Sequence, residues 1–296
     1  MTLCRWHLLI IICFGGMVLA PSVAVSQSVR PYDPISPDAN TLENSVESDR
    51  WVPSLHSMGQ NVLDIAQAPA SLLEMDPLLV LGVTGGVVGA MATVDAPVYR
   101  EMNTAGSPVA DVTGVFAAPG RWYDRVGPDE VSLGVAGALA TGGILLQRPR
   151  VTRTAVHVVE AVVYTKAVTS AAKGVIGRTR PFATDDPLAL DDAEEIATAH
   201  EELAMPSGHT SRAFAMASVL SHEFDRWYVS VPAYGFAASV GLQRIHSGDH
   251  WFTDVVVGAT LGYAIGRIVA DPPPANGAVT YRPILSPNHV GVSVRF

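Results

Sequence analysis

Three short, separated motifs carry residue types suited to phosphate chemistry: Lys173-x6-Arg180-Pro181, Pro206-Ser207-Gly208-His209 and Arg244-x5-His250-x3-Asp254. Together they offer three fixed cations, a Ser-Gly turn with backbone N–H groups, two histidines and one carboxylate. A phosphoryl group in transfer spreads its charge over the equatorial oxygens, so catalysis is largely positioning and electrostatic stabilisation. Lys173 supplies a point charge, whereas Arg180 and Arg244 supply bidentate forks. Ser207 is a good N-cap type ahead of an Ala-rich helix, and Gly208 allows close backbone approach to an anion. A helix N-terminus presents N–H groups and the positive end of a dipole, which suits phosphate.

The third motif holds the reactive groups. If a helix begins near His250, Asp254 falls one turn on and on the same face. A carboxylate at hydrogen-bonding reach fixes the imidazole tautomer and supports positive charge on the ring. The other ring nitrogen is then a nucleophile towards phosphorus, with His209 placed to protonate the departing oxygen. His246 and Asp249 read as loop residues beside them. Lys173 and Arg180 are seven residues apart, so a continuing helix puts them on one face, and Pro181 explains a stop just after Arg180.

The three motifs resemble those of the type 2 phosphatidic acid phosphatase family, whose helical fold is shared with bacterial class A acid phosphatases and vanadium haloperoxidases. The match covers roughly residues 130–270. The resemblance implies that His250 forms a phosphohistidine, that Asp254 orients it and that His209 is the general acid. It implies that Lys173, Arg180, Ser207, Gly208 and Arg244 hold the phosphate, and it implies no metal. The chain departs from the family at Gln243, where a small residue such as Ser usually precedes the arginine. That leaves the charged set intact and alters the wall beside it.

These groups need elements to position them. Apolar stretches rich in Gly, Ala and Val cover 78–94, 131–146, 154–172, 210–221, 229–243 and 252–270, and read as six helices. The expectation is therefore an all-α, six-helix bundle over residues 58–271, with the motifs between 173 and 254. An amphipathic stretch from Met58 to Leu73 precedes the bundle. After Pro272-Pro273-Pro274, residues Val290, Val292, Val294 and Phe296 alternate with polar or small neighbours. With Thr280–Leu285 and a Ser286-Pro287-Asn288 turn, the tail 272–296 reads as a β-hairpin.

The chain has 296 residues, 48% of them apolar and only 16% charged, with a mean hydropathy of +0.26. Arg5, the apolar run Leu8 to Phe14 and small residues before position 27 read as a signal peptide over 1–26. Residues 27–57, rich in Pro, Ser, Asp and Asn, read as a linker. Both cysteines, Cys4 and Cys13, fall in the leader, so the mature chain would hold no disulfide and no Cys-based metal site. Net charge is −9, and losing Arg5 with the leader makes it one unit more acidic. That balance argues against a nucleic-acid partner.

Leu78–Val94, Val131–Leu146 and Val229–Gln243 hold 17, 16 and 15 uncharged residues, short of the roughly 20 that a spanning helix wants. Arg148, Arg150 and Arg153 favour a cytoplasmic connection, which conflicts with six full spans after a cleaved leader. The expectation is a membrane-associated protein of the bacterial cell envelope, its site facing the periplasm and some helices packed as core. Trp51, Trp122, Tyr123, Trp227 and Tyr228 suit either an interface belt or core packing. The loop from Asp185 to Glu202 is crowded with carboxylates beside His200, a solvated acidic lid bearing on specificity.

The function these features imply is a metal-independent phosphatase for a phosphomonoester or pyrophosphate, most naturally of a lipid. Rivals are a secreted acid phosphatase with soluble substrates, a haloperoxidase holding vanadate in the same cradle, and an inactive binding protein. No cofactor is expected in the phosphatase reading, where vanadate would act as an inhibitor.

Overall fold

The computed structural model describes residues 85–86, 88–198, 203–270, 280–286 and 289–295, without the side chains of 193, 195, 197 and 280–295. The expected leader, linker and amphipathic stretch lie outside these residues, as do positions 78–84 and 87 of the first expected helix.

The described chain is helical up to residue 270. Its helices are α1 (Asp95–Asn103), α2 (Pro108–Phe116), α3 (Ala118–Val126), α4 (Pro128–Leu145), α5 (Pro149–Ile176), α6 (Ala193–Thr198), α7 (Gly208–Phe224), α8 (Trp227–His246) and α9 (Phe252–Ala270). Proline at or near the first helical position begins four of them, at Pro108, Pro119, Pro128 and Pro149, where the missing N–H costs nothing. Ser107 caps α2 by accepting from the Val109 and Ala110 N–H groups. Asp129 and Glu130 sit at the positive end of α4.

The six-helix expectation needs correction. Five of the expected stretches correspond to α4, α5, α7, α8 and α9. Three further helices of nine residues each, α1 to α3, fill 95–126, giving eight of nine residues or more among the described residues. At the other end of the chain, Thr280–Ser286 pairs antiparallel with His289–Arg295. The link from α9 to these strands lies outside the described residues.

Helices α4, α5, α7 and α9 share a core of Ala136, Val158, Ala161, Ala215, Met216, Val219, Ile265 and Val269. A second cluster, Tyr123, Val131, Phe214, Ala237 and Val240, ties α3 and α8 to it, and a third joins α1 to Leu242, Ile245 and Val255. Fully buried side chains such as Val158, Val219 and Val269 each contribute about 1.5–3 kcal/mol.

Glycines set the closest approaches. A Cβ at Gly258, Gly262 or Gly266 would overlap the backbone carbonyls of Ser207, Ser211 and Ala215 in turn, so α9 lies directly against α7. Gly120 does the same for α3 against the Ser239 carbonyl of α8. Helices α5 and α8 run towards one end of this bundle, and α7 and α9 run away from it. All three motifs meet at that end.

Candidate active site

Helix α5 ends at Ile176, four residues earlier than its sequence suggests. Gly177 takes a left-handed conformation (φ +66°) and its N–H donates to the Lys173 carbonyl, a glycine C-cap. A Cβ there would come within 2.5 Å of Ile196 Cδ1. Lys173 and Arg180 therefore do not share a helical face. Lys173 stays in the last turn of α5, buried, while Arg178 and Arg180 leave the helix and reach the third motif by separate routes.

Arg178 turns inwards. Its Nη1 donates to Asp254 Oδ1 at 2.5 Å, its Nη2 to Asp95 Oδ2 at 2.6 Å, and its Nε to the Pro187 carbonyl at 2.9 Å. The guanidinium lies 5.7 Å from the Trp251 ring centroid. Asp95, on α1, also accepts from the Thr253 N–H and hydroxyl at 2.8 and 2.9 Å. Burial raises the pKa of both carboxylates, that of Asp254 to about 6, with Arg178 opposing the rise.

Arg180 turns towards the loop after α8. Its Nη1 donates to Asp249 Oδ1 at 3.2 Å, and the other oxygen of Asp249 lies 2.7 Å from Arg244 Nη2. Ser247 Oγ donates to the same carboxylate. Gly248, at φ +75°, makes the turn that presents Asp249 and His250 in succession. On its other side, Arg244 Nη1 donates to Asp124 Oδ1 at 2.5 Å, and that oxygen is 3.3 Å from His209 Nε2. Gln243 Nε2 donates to Asp124 Oδ2 at 3.3 Å, which gives the unusual residue before Arg244 a definite task. Asp124 is held below the usual carboxylate range, first by its hydrogen bond to His209. Burial dominates at His209 and lowers its pKa.

Ser207 occupies the N-cap position of α7, but its hydroxyl bonds Thr210 Oγ1 at 2.9 Å and makes no side-chain cap. The α7 N-terminus, with Gly208 and His209 in its first turn, thus keeps its dipole uncapped. The Ser207 N–H donates to the Asp254 carbonyl at 3.1 Å, tying the second motif to the third.

His250 lies before α9, not inside it, and is almost wholly buried. Its N–H donates to the Arg244 carbonyl at 3.2 Å. The expected hydrogen bond to Asp254 is not formed: Nδ1 is 3.8 Å from Asp254 Oδ2 and has no partner. The carboxylate is engaged elsewhere. Oδ2 accepts from the Trp251 N–H at 2.8 Å, the reciprocal half of a capping box, and Oδ1 accepts from Arg178. Burial holds the His250 pKa well below its ordinary value, and the charges of Arg244, Lys173 and Arg180 add to this. The imidazole is therefore neutral at physiological pH, as a nucleophile must be.

All eight residues singled out in the sequence thus lie at one end of the bundle. Sequence reasoning missed four others: Asp95, Asp124, Arg178 and Asp249. Asp249 lies in a loop, as its sequence suggests, and there it bridges two cradle arginines. Arg178 had one available signal, since it follows a glycine inside the first motif and a glycine there marks a helix end.

The PAP2 superfamily model matches residues 154–276. A curated relative, the lipid A 1-phosphatase of Porphyromonas gingivalis, is 41% identical over 66 residues, which are 21% of this chain and 15% of that protein. The chain therefore spans only a small part of that relative's length. Among solved structures, the crystal structure of Aquifex aeolicus LpxE aligns at a TM-score of 0.40 and 24% identity, covering 60% of this chain and 94% of that one.

Proposed function

With residues 154–276 making this chain a member of the PAP2 superfamily, we propose that it is a phosphatase of the bacterial cell envelope that removes phosphate from a lipid phosphomonoester or diphosphate. The observation that carries the reading is the convergence of a buried, neutral His250, a His209 held by Asp124, and the cations Lys173, Arg180 and Arg244 at one end of the bundle.

In this mechanism the phosphate sits among Lys173, Arg180, Arg244 and the N-terminus of α7 at Ser207 and Gly208. The free ring nitrogen of His250 attacks phosphorus as the P–O bond to the leaving group breaks. His209 gives its proton to the departing oxygen. Asp254 balances the positive charge that grows on the His250 ring across their 3.8 Å gap. Water then attacks the phosphohistidine, His209 takes the proton from that water, and inorganic phosphate leaves with the P–N bond broken. No step calls on a metal, and vanadate, which copies the five-coordinate phosphorus, inhibits.

A lipid substrate is supported by exposed Phe182, Leu188 and Leu190 on the loop between the first two motifs. Phe182 is placed beside the site by its N–H, which donates to the Gly248 carbonyl. The name of the Porphyromonas gingivalis relative supports the same class. Membrane association follows from such a substrate. Among the described residues one helix, Phe252–Ala270, is long and apolar enough to cross a bilayer, and over half of it is buried inside the bundle. In this reading the site faces the periplasm.

The test is phosphate release by detergent-purified protein in EDTA, from phosphatidic acid, a polyprenyl diphosphate and p-nitrophenyl phosphate, with His250→Ala as the blank. Preference for a lipid is expected, together with an acid-labile phosphoenzyme absent from the blank. Preference for the soluble ester would move the protein to the acid phosphatases. No release above the blank from any substrate would overturn the reading.

A further inference from the structure

Beside the cradle stands a second pair of cations that the reaction above does not use. Arg212 lies three residues after His209 on α7, so the two side chains share a face. Its Nε donates to the Gly208 carbonyl at 3.1 Å, and its Nη2 lies 3.9 Å from where a Cβ of Gly208 would stand. Lys166 lies seven residues before Lys173 on α5, along the same stripe of that helix. One carboxylate joins the pair: Asp129 Oδ1 accepts from Arg212 Nη1 at 2.7 Å, and Oδ2 accepts from Lys166 Nζ at 2.8 Å.

The Arg212 side chain is 13% exposed, Asp129 45% and Lys166 55%, so the cluster opens to solvent on the carboxylate side. A carboxylate bridging a guanidinium and an ammonium occupies positions that phosphate oxygens also take. Exposed ion pairs stabilise a fold little, and a dianion competes well for the same cations. Position decides what that dianion is. The leaving group departs on the His209 side, and Arg212 is the next cation on that face.

We propose that Arg212 and Lys166 form a second anion subsite, which receives a second phosphate carried by the leaving portion of the substrate in place of Asp129. This rests on the phosphatase reading above. The second phosphate is either linked by an anhydride to the first or esterified elsewhere on the headgroup, and both present the same oxygens. Arg212 is about 6 Å along α7 from Gly208 and suits the anhydride, whereas Lys166 is about 10 Å along α5 from Lys173 and suits the remote ester.

The test compares KM and kcat of the full chain with its Arg212→Gln, Lys166→Gln and Asp129→Asn variants. The substrates are a prenyl monophosphate, the matching diphosphate, and a lipid bearing two separate phosphate monoesters. Arg212→Gln is expected to raise KM at least tenfold for a doubly phosphorylated substrate and to leave the monophosphate within about twofold, while Asp129→Asn lowers KM for the doubly phosphorylated one. A larger effect on the diphosphate identifies the anhydride, and a larger effect of Lys166→Gln on the bis-ester identifies the remote phosphate. Equal shifts for mono- and doubly phosphorylated substrates would overturn the subsite. Lys166 is exposed, so its variant keeps the comparison valid if Arg212→Gln folds poorly.

Calorimetry with inorganic phosphate and inorganic pyrophosphate separates this proposal from the phosphatase reading. A wild type that hydrolyses nothing, yet binds pyrophosphate more tightly than phosphate and loses that preference in the variants, refutes the reading and keeps the subsite. Equal binding of the two anions by wild type refutes the anhydride form of the subsite, and equal KM shifts on the bis-ester and the monophosphate refute the remote form.

Discussion

Two ionic networks flank His250, and they are built differently. Behind it, Asp95, Arg178 and Asp254 form a network whose carboxylates are 0% exposed and whose oxygens all accept hydrogen bonds. In front, Asp124, Asp249, Arg180, Arg244 and His209 form one whose carboxylates are 36% and 22% exposed. There the Arg244 Nε is buried without a partner. A buried ion network that is fully satisfied resists change, because removing one member strands the others in a medium of low dielectric. A network open to water with donors to spare can exchange its anions. The difference implies that the rear network sets geometry and the front one trades carboxylate for substrate.

His250 stands between the two, and its removal has the largest effect. His250→Ala is expected to lower kcat/KM by at least ~10^4-fold, because neither network contains another nucleophile in place. Phosphate release measured alongside phosphoenzyme trapping checks it, and residual turnover through a labelled intermediate would mean that another group attacks. His209→Ala comes next, with a loss of roughly 10^2–10^4-fold on an alkyl ester. It should spare slow reaction with p-nitrophenyl phosphate, whose leaving group needs no proton. Equal loss on both esters would remove His209 from the acid role and make the Asp124–His209 contact merely structural.

Arg178 gives the sharpest contrast between the networks. Arg178→Ala leaves Asp95 and Asp254 as buried carboxylates without a cation, at a cost of about 3–5 kcal/mol. The matching change in front, Arg180→Ala, removes a partner of the half-open Asp249 and is expected to lower activity with little change in denaturation midpoint. Similar midpoints for the two variants would erase the distinction drawn here.

The rear network also sets a pH dependence. The Asp254 pKa is raised to about 6, so its negative charge is present above that pH and lost as the pH falls through it. Burial and the neighbouring cations depress the pKa of His250 and so favour its neutral form. The acid limb of kcat/KM is therefore expected near pH 6 and belongs to the coupled Asp254–Arg178 pair. Arg178→Lys, which loses the fork but keeps a charge, should move that limb upwards. A limb unmoved by Arg178→Lys would separate the rear network from catalysis.

How these networks were hidden in the sequence has a physical explanation. The residues of the three motifs announce themselves because their partners sit a few positions away, as Ser207 does from His209. Asp95 and Asp124 announce nothing, because the arginines they bind are 83 and 120 residues distant. Helices α1 to α3 were equally quiet. Each is nine residues, about two and a half turns, too short for a 3.6-residue period to emerge from a segment broken by Gly106, Pro108, Pro119 and Gly127. The long helices α4, α5, α7, α8 and α9 were legible within a few residues, except where Gly177 ends α5 ahead of the more obvious Pro181. That misreading matters, because Arg178 comes free to reach Asp254 only if the helix stops before it.

The smallest expected effect bears most directly on exchange in the front network. Asp249 holds Arg180 and Arg244 with its two oxygens, and a bound phosphate must take over at least part of both interactions. In the free enzyme the carboxylate keeps the cations apart and ready. In the complex it adds a negative charge beside a dianion. Asp249→Asn keeps the shape and one acceptor while removing that charge, so it should lower KM and the inhibition constant for inorganic phosphate by roughly two- to tenfold, about 0.4–1.4 kcal/mol. The change in kcat should be smaller, because the charge opposes ground state and transition state alike. A rise in KM would mean that Asp249 helps to place Arg180 and Arg244 for the substrate, so that the front network positions its cations as the rear one does.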